Sequence, residues 1–470
     1  MKKLILALLL SASACFATLP ATLVWDVQTA SGNDANGGAF DSAKSGTDAS
    51  QGTVLAYTDI SVQSTTTQIT SSLHPFSSTS VGNVINITGG SGCTTGWHEI
   101  TSVTTGTATL DSSAGSSGDT CTGNYGGPLA SIAGAVGHFV SGNIAYVKGT
   151  NTVTAVLTLP LGCASSSEGP CIIAGYTSVH GDAGMATWTT TTNSAKLIDL
   201  GTRTGWEFDN ITFTNAAGTN AVGITENGGG SSTNIVLNKC TFSGFTNAIA
   251  APNFGITGLT LKNIKVSAST SDGLSIISNG LSISNSWFTG STGSGIKILA
   301  GGPIFIAKSV FNSNGADGLN INSSSGTVQH IDNSIFRDNT TSGIAYTATG
   351  GSIFLDISNS ILYNNGAYGI NYDTNGIYAA AYNYSNAFGA NMTAPRNGGV
   401  ASVGEVTLTA DPNTNAAGGD FSLNSTAGGG AALKGKGFPG VGLVGTGHLD
   451  IGALQSAGGG SGASSFPIIN

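Results

Sequence analysis

The chain has 470 residues, of which 71 are glycine and only 8% are charged, and its net charge is −9. That acidic balance, with no basic patch interleaved with aromatics, excludes a nucleic-acid surface and disfavours an anionic partner. Beyond the N-terminal leader-like stretch, no segment is long and apolar enough to span a membrane.

Met1-Lys2-Lys3, the apolar run Leu4 to Leu10 and the small residues Ser11 to Ala17 predict a secretory signal peptide over residues 1–17. Cys15, after Ala12-Ser13-Ala14, loosely resembles a lipoprotein box that lacks its usual leucine. Residues 18–52 are expected to form an N-terminal cap, with Val24-Trp25-Asp26-Val27 as a first strand. Asp34, Asn36, Asp41 and Asp48 carry hard oxygen ligands, but their spacing fits no calcium loop, so they are read as solvated turn residues. Residues 53–129 show short alternating strands at hairpin spacing, such as Val84 to Thr88, Trp97 to Ile100 and Thr107 to Leu110, and predict a small β-module. Within it Trp97 is expected in the core, with His98 beside it exposed.

Export makes disulfides natural. Cys93 with Cys121 and Cys163 with Cys171 each close a Gly/Ser-rich loop, which leaves Cys240 as a buried thiol behaving like a small hydrophobe. Val179-His180-Gly181-Asp182 is read as a polar turn.

Residues 130–400 are expected to form the main body. From Trp206 to about Tyr372 one short pattern recurs, clearest in Ile283-Ser-Asn285-Ser-Trp-Phe288, Ile331-Asp-Asn333-Ser-Ile-Phe336 and Ile357-Ser-Asn359-Ser-Ile-Leu362. Looser copies surround Asn210, Lys239, Asn263 and Lys308, at intervals of roughly 22 to 29 residues, the period of a solenoid. Each copy holds three short strand-like pieces and no room for a helix, so the coil is all strand and turn. Stacking would set coils about 4.8 Å apart, each amide pairing with the next coil.

This pattern resembles the right-handed parallel β-helix family, whose pectate lyase-like members carry an asparagine ladder at an inner bend. Asn210, Asn263, Asn285, Asn333 and Asn359 match that ladder, while Lys239 and Lys308 depart from it. The fold class expected is therefore all-β, a right-handed parallel β-helix with a small N-terminal β-module. Residues 401–456 are expected to hold terminal coils and a C-terminal cap, ending in Asp450-Ile-Gly-Ala-Leu-Gln455, which resembles the terminal signature of secreted β-helix proteins. Residues 457–470 would be a flexible Gly/Ser tail.

Alternation assigns faces. With Phe213, Phe242, Val266, Phe288, Phe311, Phe336 and Leu362 inward, the residues two before them, including Cys240 and Ser286, Ser309, Ser334 and Ser360, also point inward. The residues between point outward, and Trp287, Val310, Ile335 and Ile361 become an apolar stripe that predicts a contact surface for a ligand or a second copy.

Counting back from the inward isoleucines places Ser282, Phe305, His330 and Asp356 in one outward column, with Asp332 beside it and Arg337 and Asp338 on the adjoining face. His330, Asp332, Asp356 and Arg337 are the candidate catalytic residues, since a glycan lyase or hydrolase needs clustered acid and base groups. The sequence favours a secreted or cell-surface scaffold, adhering to an extracellular polysaccharide or self-associating as a homo-oligomer through the stripe. The alternatives are a polysaccharide lyase or glycoside hydrolase, and a tailspike-like fibre. No metal site or cofactor is expected, although a lyase of the resembled family would use calcium.

Overall fold

The computed structural model describes residues 19–455, with breaks at 161–162, 164–168, 194, 218–219, 228, 324–327, 349–353, 373–381, 399–400, 402 and 439–448. The expected signal peptide, Cys15 and the expected tail at 457–470 lie outside the described residues. The chain forms two compact units, one ending at Asn143 and one beginning at Ile144.

In the first unit, strand Leu23–Gln28 pairs antiparallel with Ala39–Asp41. Six further strands between Leu55 and Tyr125 close into a small barrel around Ile60, Ile69, Ile85 and Ile100. Cys93 and Cys121 are joined, as the loop lengths predict. The acidic residues near the N-terminus organise loops: Asp34 accepts from the Ala130 and Ser131 amides, at 2.9 and 2.8 Å, and from the Ser131 hydroxyl. Trp97 and His98 exchange the places expected of them. Strand Gly96–Thr104 turns His98 inward, where its Nδ1 lies 2.7 Å from the Ser112 hydroxyl, while Trp97 is half-buried and donates to the Asn36 carbonyl.

Glu99 is also buried there, against Asp41 and Asp111, with Lys44 3.8 Å away. Burial first, then the Asp41 carboxylate, pushes its carboxyl up from an ordinary 4.5 to about 7, against the pull of Lys44. A carboxyl that holds its proton more tightly folded than unfolded contributes fully below about 4.5 and loses that contribution as pH rises through about 7. The unfolding free energy of this unit, from urea melts, should fall over that window by at most about 3 kcal/mol. Glu99→Gln should flatten the profile; an unchanged slope in the variant would refute the assignment.

In the second unit each coil contributes three strands, illustrated by Leu281–Ser284, Trp287–Thr289 and Ile296–Gly301. All coil-to-coil pairings are parallel, and the second strands stack in unbroken register from Thr150–Thr152 to Val406–Thr407. The inward stack is as alternation predicts, with Phe288, Phe311 and Phe336 ring on ring at 5.1 and 4.6 Å. Ser286, Ser309, Ser334 and Ser360 are fully buried and solve the inward-polar problem together. Each hydroxyl donates to the carbonyl two residues earlier and accepts from the amide of the coil before it, as Ser309 does from Ser286. Cys240 occupies the same inward column, buried, its thiol pushed up to about 12 by burial, and Cys163 is bonded to Cys171.

The asparagine ladder is elsewhere than the resemblance implies. Asn210, Asn263, Asn285, Asn333 and Asn359 have φ between 46° and 55°, and Lys239 and Lys308 share that left-handed turn at 49° and 50°. The position is a backbone corner that asparagine tolerates better than most residues. The hydrogen-bonded ladder is Asn314, Asn339, Asn365 and Asn391, each Nδ2 donating to the next Oδ1 at 2.9, 2.9 and 3.0 Å.

The outward apolar stripe is not free. Val310, Ile335 and Ile361 are buried under the chain's own C-terminal segment, packed with Leu408, Phe421, Leu433, Ile451 and Ala453. Trp287 meets Phe421 edge-on at 5.2 Å. Gly452, at φ 120°, brings backbone so close that a Cβ would sit 2.8 Å from Ile361, and its amide donates to Asn359 O. The stripe is outward from the coil, as predicted, but inside the molecule.

Candidate functional site

The first strands of successive coils present one continuous outward face. Register places Ser282, Phe305, His330 and Asp356 in line, and Ser284, Ala307, Asp332 and Ser358 in the adjacent column. The inward isoleucines Ile283, Ile306, Ile331 and Ile357 hold these strands down, which leaves the polar alternates on the surface. His330 and Asp356 are thereby neighbours on adjacent coils. The imidazole Nδ1 donates to Asp356 Oδ2 at 2.8 Å, with both side chains about one-third exposed.

That hydrogen bond raises the His330 pKa above its ordinary value, opposed by partial burial and helped by the charges of Asp356 and Asp332. The ring is thus fixed through Nδ1 and turns Nε2 to whatever occupies the face. Asp332 serves the dyad only through its field. Its Oδ1 accepts from Ser358 and Asn359, at 2.7 and 3.0 Å, and its Oδ2 from Asn333 at 2.6 Å.

Aromatic side chains flank the dyad. Phe305, 49% exposed, precedes His330 in the same column with ring centroids 6.4 Å apart. On the other side Tyr384 follows Ser358 in register and stacks on Phe438 at 5.1 Å. Phe438 arrives from the C-terminal segment, whose backbone is clipped to the Asn359 side chain: the Phe438 amide donates to Asn359 Oδ1 at 2.6 Å. Sequence reading missed this ring because it lies 79 positions from its anchor.

Arg337 does not join the dyad. It belongs to the second strand of its coil, whose outward face is the covered one. Its guanidinium is buried, donating to Asp338 and bidentately to Asp411 at 2.9 and 3.1 Å, and to Asn413 at 2.7 Å. It fastens the C-terminal segment and is withdrawn from the catalytic set. Trp287, Val310, Ile335 and Ile361 are likewise withdrawn as a free binding surface. In the Val179 to Asp182 turn, Asp182 accepts from the Thr177, Ser178 and Gly184 amides, while His180 stacks on Tyr146.

A second group on the same face went unread. Glu207 and Asp209 both have raised carboxyl pKa values, caused mainly by burial, with Lys262 and Lys239 opposing. Asp209 accepts from Asn238 at 2.8 Å and lies in register with Asn238 and Lys262. Its members come from separate coils, so only the register assembles them. Among the described residues no group of three or more His, Cys, Asp or Glu is placed to hold a metal ion.

Residues 198–385 match the family model described as a right handed beta helix region. Among solved structures, the pectate lyase Pel9A aligns with a TM-score of 0.53 at 14% identity, over 70% of this chain and 92% of its own. The A-module of the Azotobacter vinelandii mannuronan C-5 epimerase AlgE4 aligns at 0.37 and 12% identity, over 53% and 78%. The catalytic domain of a GH87 α-1,3-glucanase aligns at 0.29 and 12%, over 76% and 79%. No curated protein matches the sequence. At these identities the pectate lyase shares the fold, and the parallel coils with their inward Phe and Ser stacks agree with it: the second unit folds as a right-handed parallel β-helix.

Proposed function

We propose that the protein acts on an extracellular polysaccharide held along the outward face of the first strands. His330 would serve as the proton-transferring residue and Asp356 as the carboxylate that orients and charges it. The observation that carries this reading is the 2.8 Å His330–Asp356 pair, with exposed Phe305 on one side and half-buried Tyr384 stacked on exposed Phe438 on the other. Rings stack on the apolar faces of sugars, and a histidine held through Nδ1 can pass a proton at Nε2. The acidic net charge and the carboxylates on this face favour a neutral glycan over a polyuronate. Two disulfides fit an exported protein in an oxidising compartment, and a polysaccharide is also the ligand class of the pectate lyase that shares the fold. Adhesion or self-association through the stripe loses its support, because the chain's own segment occupies that surface.

The test is turnover of a panel of neutral and acidic polysaccharides by the full chain, followed by reducing ends and unsaturated products. His330→Ala should cut the rate about a hundredfold without moving the melting temperature. Because Asp356 raises the His330 pKa, the protonated ring persists to higher pH; as general acid it should lose activity as pH climbs through that raised value. Asp356→Asn should move this limb to lower pH. Equal rates in wild type and His330→Ala, or no turnover of any glycan by the wild type, would reject the proposal.

A further inference from the structure

Outside the glycan face, the second strands carry a pattern the proposed function does not use. In the first four coils they read Thr150-Asn-Thr152, Thr187-Trp-Thr189, Thr212-Phe-Thr214 and Thr241-Phe-Ser243. Thr150, Thr187, Thr212 and Thr241 pair in register, and so do the residues two further along. The central residue of each triplet is buried, so both flanking hydroxyl residues point outward.

The result is a two-dimensional lattice, with a repeat of about 4.8 Å from coil to coil and about 6.6 Å between the two columns. It is stiff, because threonine is restricted at χ1 and the strands are backed by Trp188, Phe213 and Phe242 at ring distances of 5.6 and 4.6 Å.

Two observations separate this patch from ordinary polar surface. The buried serine and asparagine columns spend their groups between coils, bonding each other or the backbone, and on the first strands Thr204 bonds Thr233 at 2.7 Å. Here, among the described residues, the hydroxyls of Thr187, Thr189, Thr214 and Thr241 make no side-chain hydrogen bond, and Thr212 donates only to the Met185 sulfur at 3.8 Å. The patch also ends where charge and cover begin: Lys265 follows Thr241, lying over the Trp287 ring at 5.2 Å, and beyond it the same face is buried by the C-terminal segment.

We propose that this uncovered half of the second sheet binds ice. A rigid, uncharged array that alternates methyl and hydroxyl at two orthogonal repeats close to those of water oxygens on a prism face of hexagonal ice can hold an ordered water layer continuous with the crystal. Water-mediated bonds are enthalpically nearly as good as direct ones, and a preorganised surface loses little entropy in making many at once. A glycan is the poorer occupant, because the patch presents no ring.

The experiment measures thermal hysteresis and ice recrystallisation with the full chain. Wild type should arrest growth and shape the crystals. Thr212→Tyr and Thr214→Lys, each placing bulk in the lattice, should lose the effect while circular dichroism stays unchanged, and Ser275→Tyr, outward on a third strand, should retain it. Absence of growth arrest in wild type, or full activity in both lattice variants, overturns the proposal. So does loss of binding to crystalline cellulose in those variants without loss of ice activity.

Discussion

Ile335→Ala is expected to lower stability by about 2–5 kcal/mol and to release the segment around Leu408, Phe421, Leu433 and Ile451 before the coils themselves open. Ile335 is fully buried between the coil surface and the returning segment, beside Val310, Ile361, Leu433 and Ile451. Truncation removes apolar contact and leaves a cavity between two surfaces that meet mainly through side chains. Because a solenoid's stability is close to a sum over neighbouring units, the loss should be local. Hydrogen exchange should therefore show early deprotection around Phe421 and Leu433, with amides of the strands near Phe213 unaffected. Thr241→Ala, at the equivalent column position in an uncovered coil, should change stability by no more than about 0.5 kcal/mol. Wild-type protection of the C-terminal segment in Ile335→Ala would mean that the stripe does not hold it.

Asn339→Ala is expected to cost about 4 kcal/mol. Its side chain accepts from the amide and the Nδ2 of Asn314 and donates to Phe311 O and Asn365 Oδ1, all of them buried. Four modest bonds are lost and their partners stay out of water, where an unmade bond costs more than a made one contributes. Asn285→Gly, at a corner with φ 49°, should stay within about 0.5 kcal/mol of wild type, since glycine adopts that conformation freely. Urea midpoints of the two variants decide the matter: equal shifts would return the ladder role to the corner asparagines.

These two sites also show what was legible in the sequence. Period-two alternation is a property of the strand itself, so it named the inward Phe and Ser columns and, by counting from Ile331 and Ile357, the His330–Asp356 pair. A recurring asparagine is ambiguous, because a left-handed corner and a buried ladder both favour it. The distinguishing signal was its offset: the ladder residues follow the inward Phe311, Phe336, Leu362 and Phe388 by three positions, where the chain turns back into the core. Alternation separates the inside of a coil from its outside, but it cannot tell water from the chain's own returning segment. For that reason alternation alone puts Arg337 and the stripe on the surface and does not connect Phe438 to the dyad.

The docked segment also acts as a ruler. Arg337 meets Asp411 and Asn413, Asn359 meets Phe438 and Gly452, and Ile335 and Ile361 share a cluster with Ile451, so one stretch of chain is matched to consecutive coils at fixed heights. Inserting a repeat between Arg337 and Asn359 would put the matches on the two coils out of step with each other. A repeat gained or lost among the earlier coils would leave them in register. Repeat number can therefore drift during evolution on the side that carries the threonine lattice and the Glu207 group, while the side that carries the dyad is held to length.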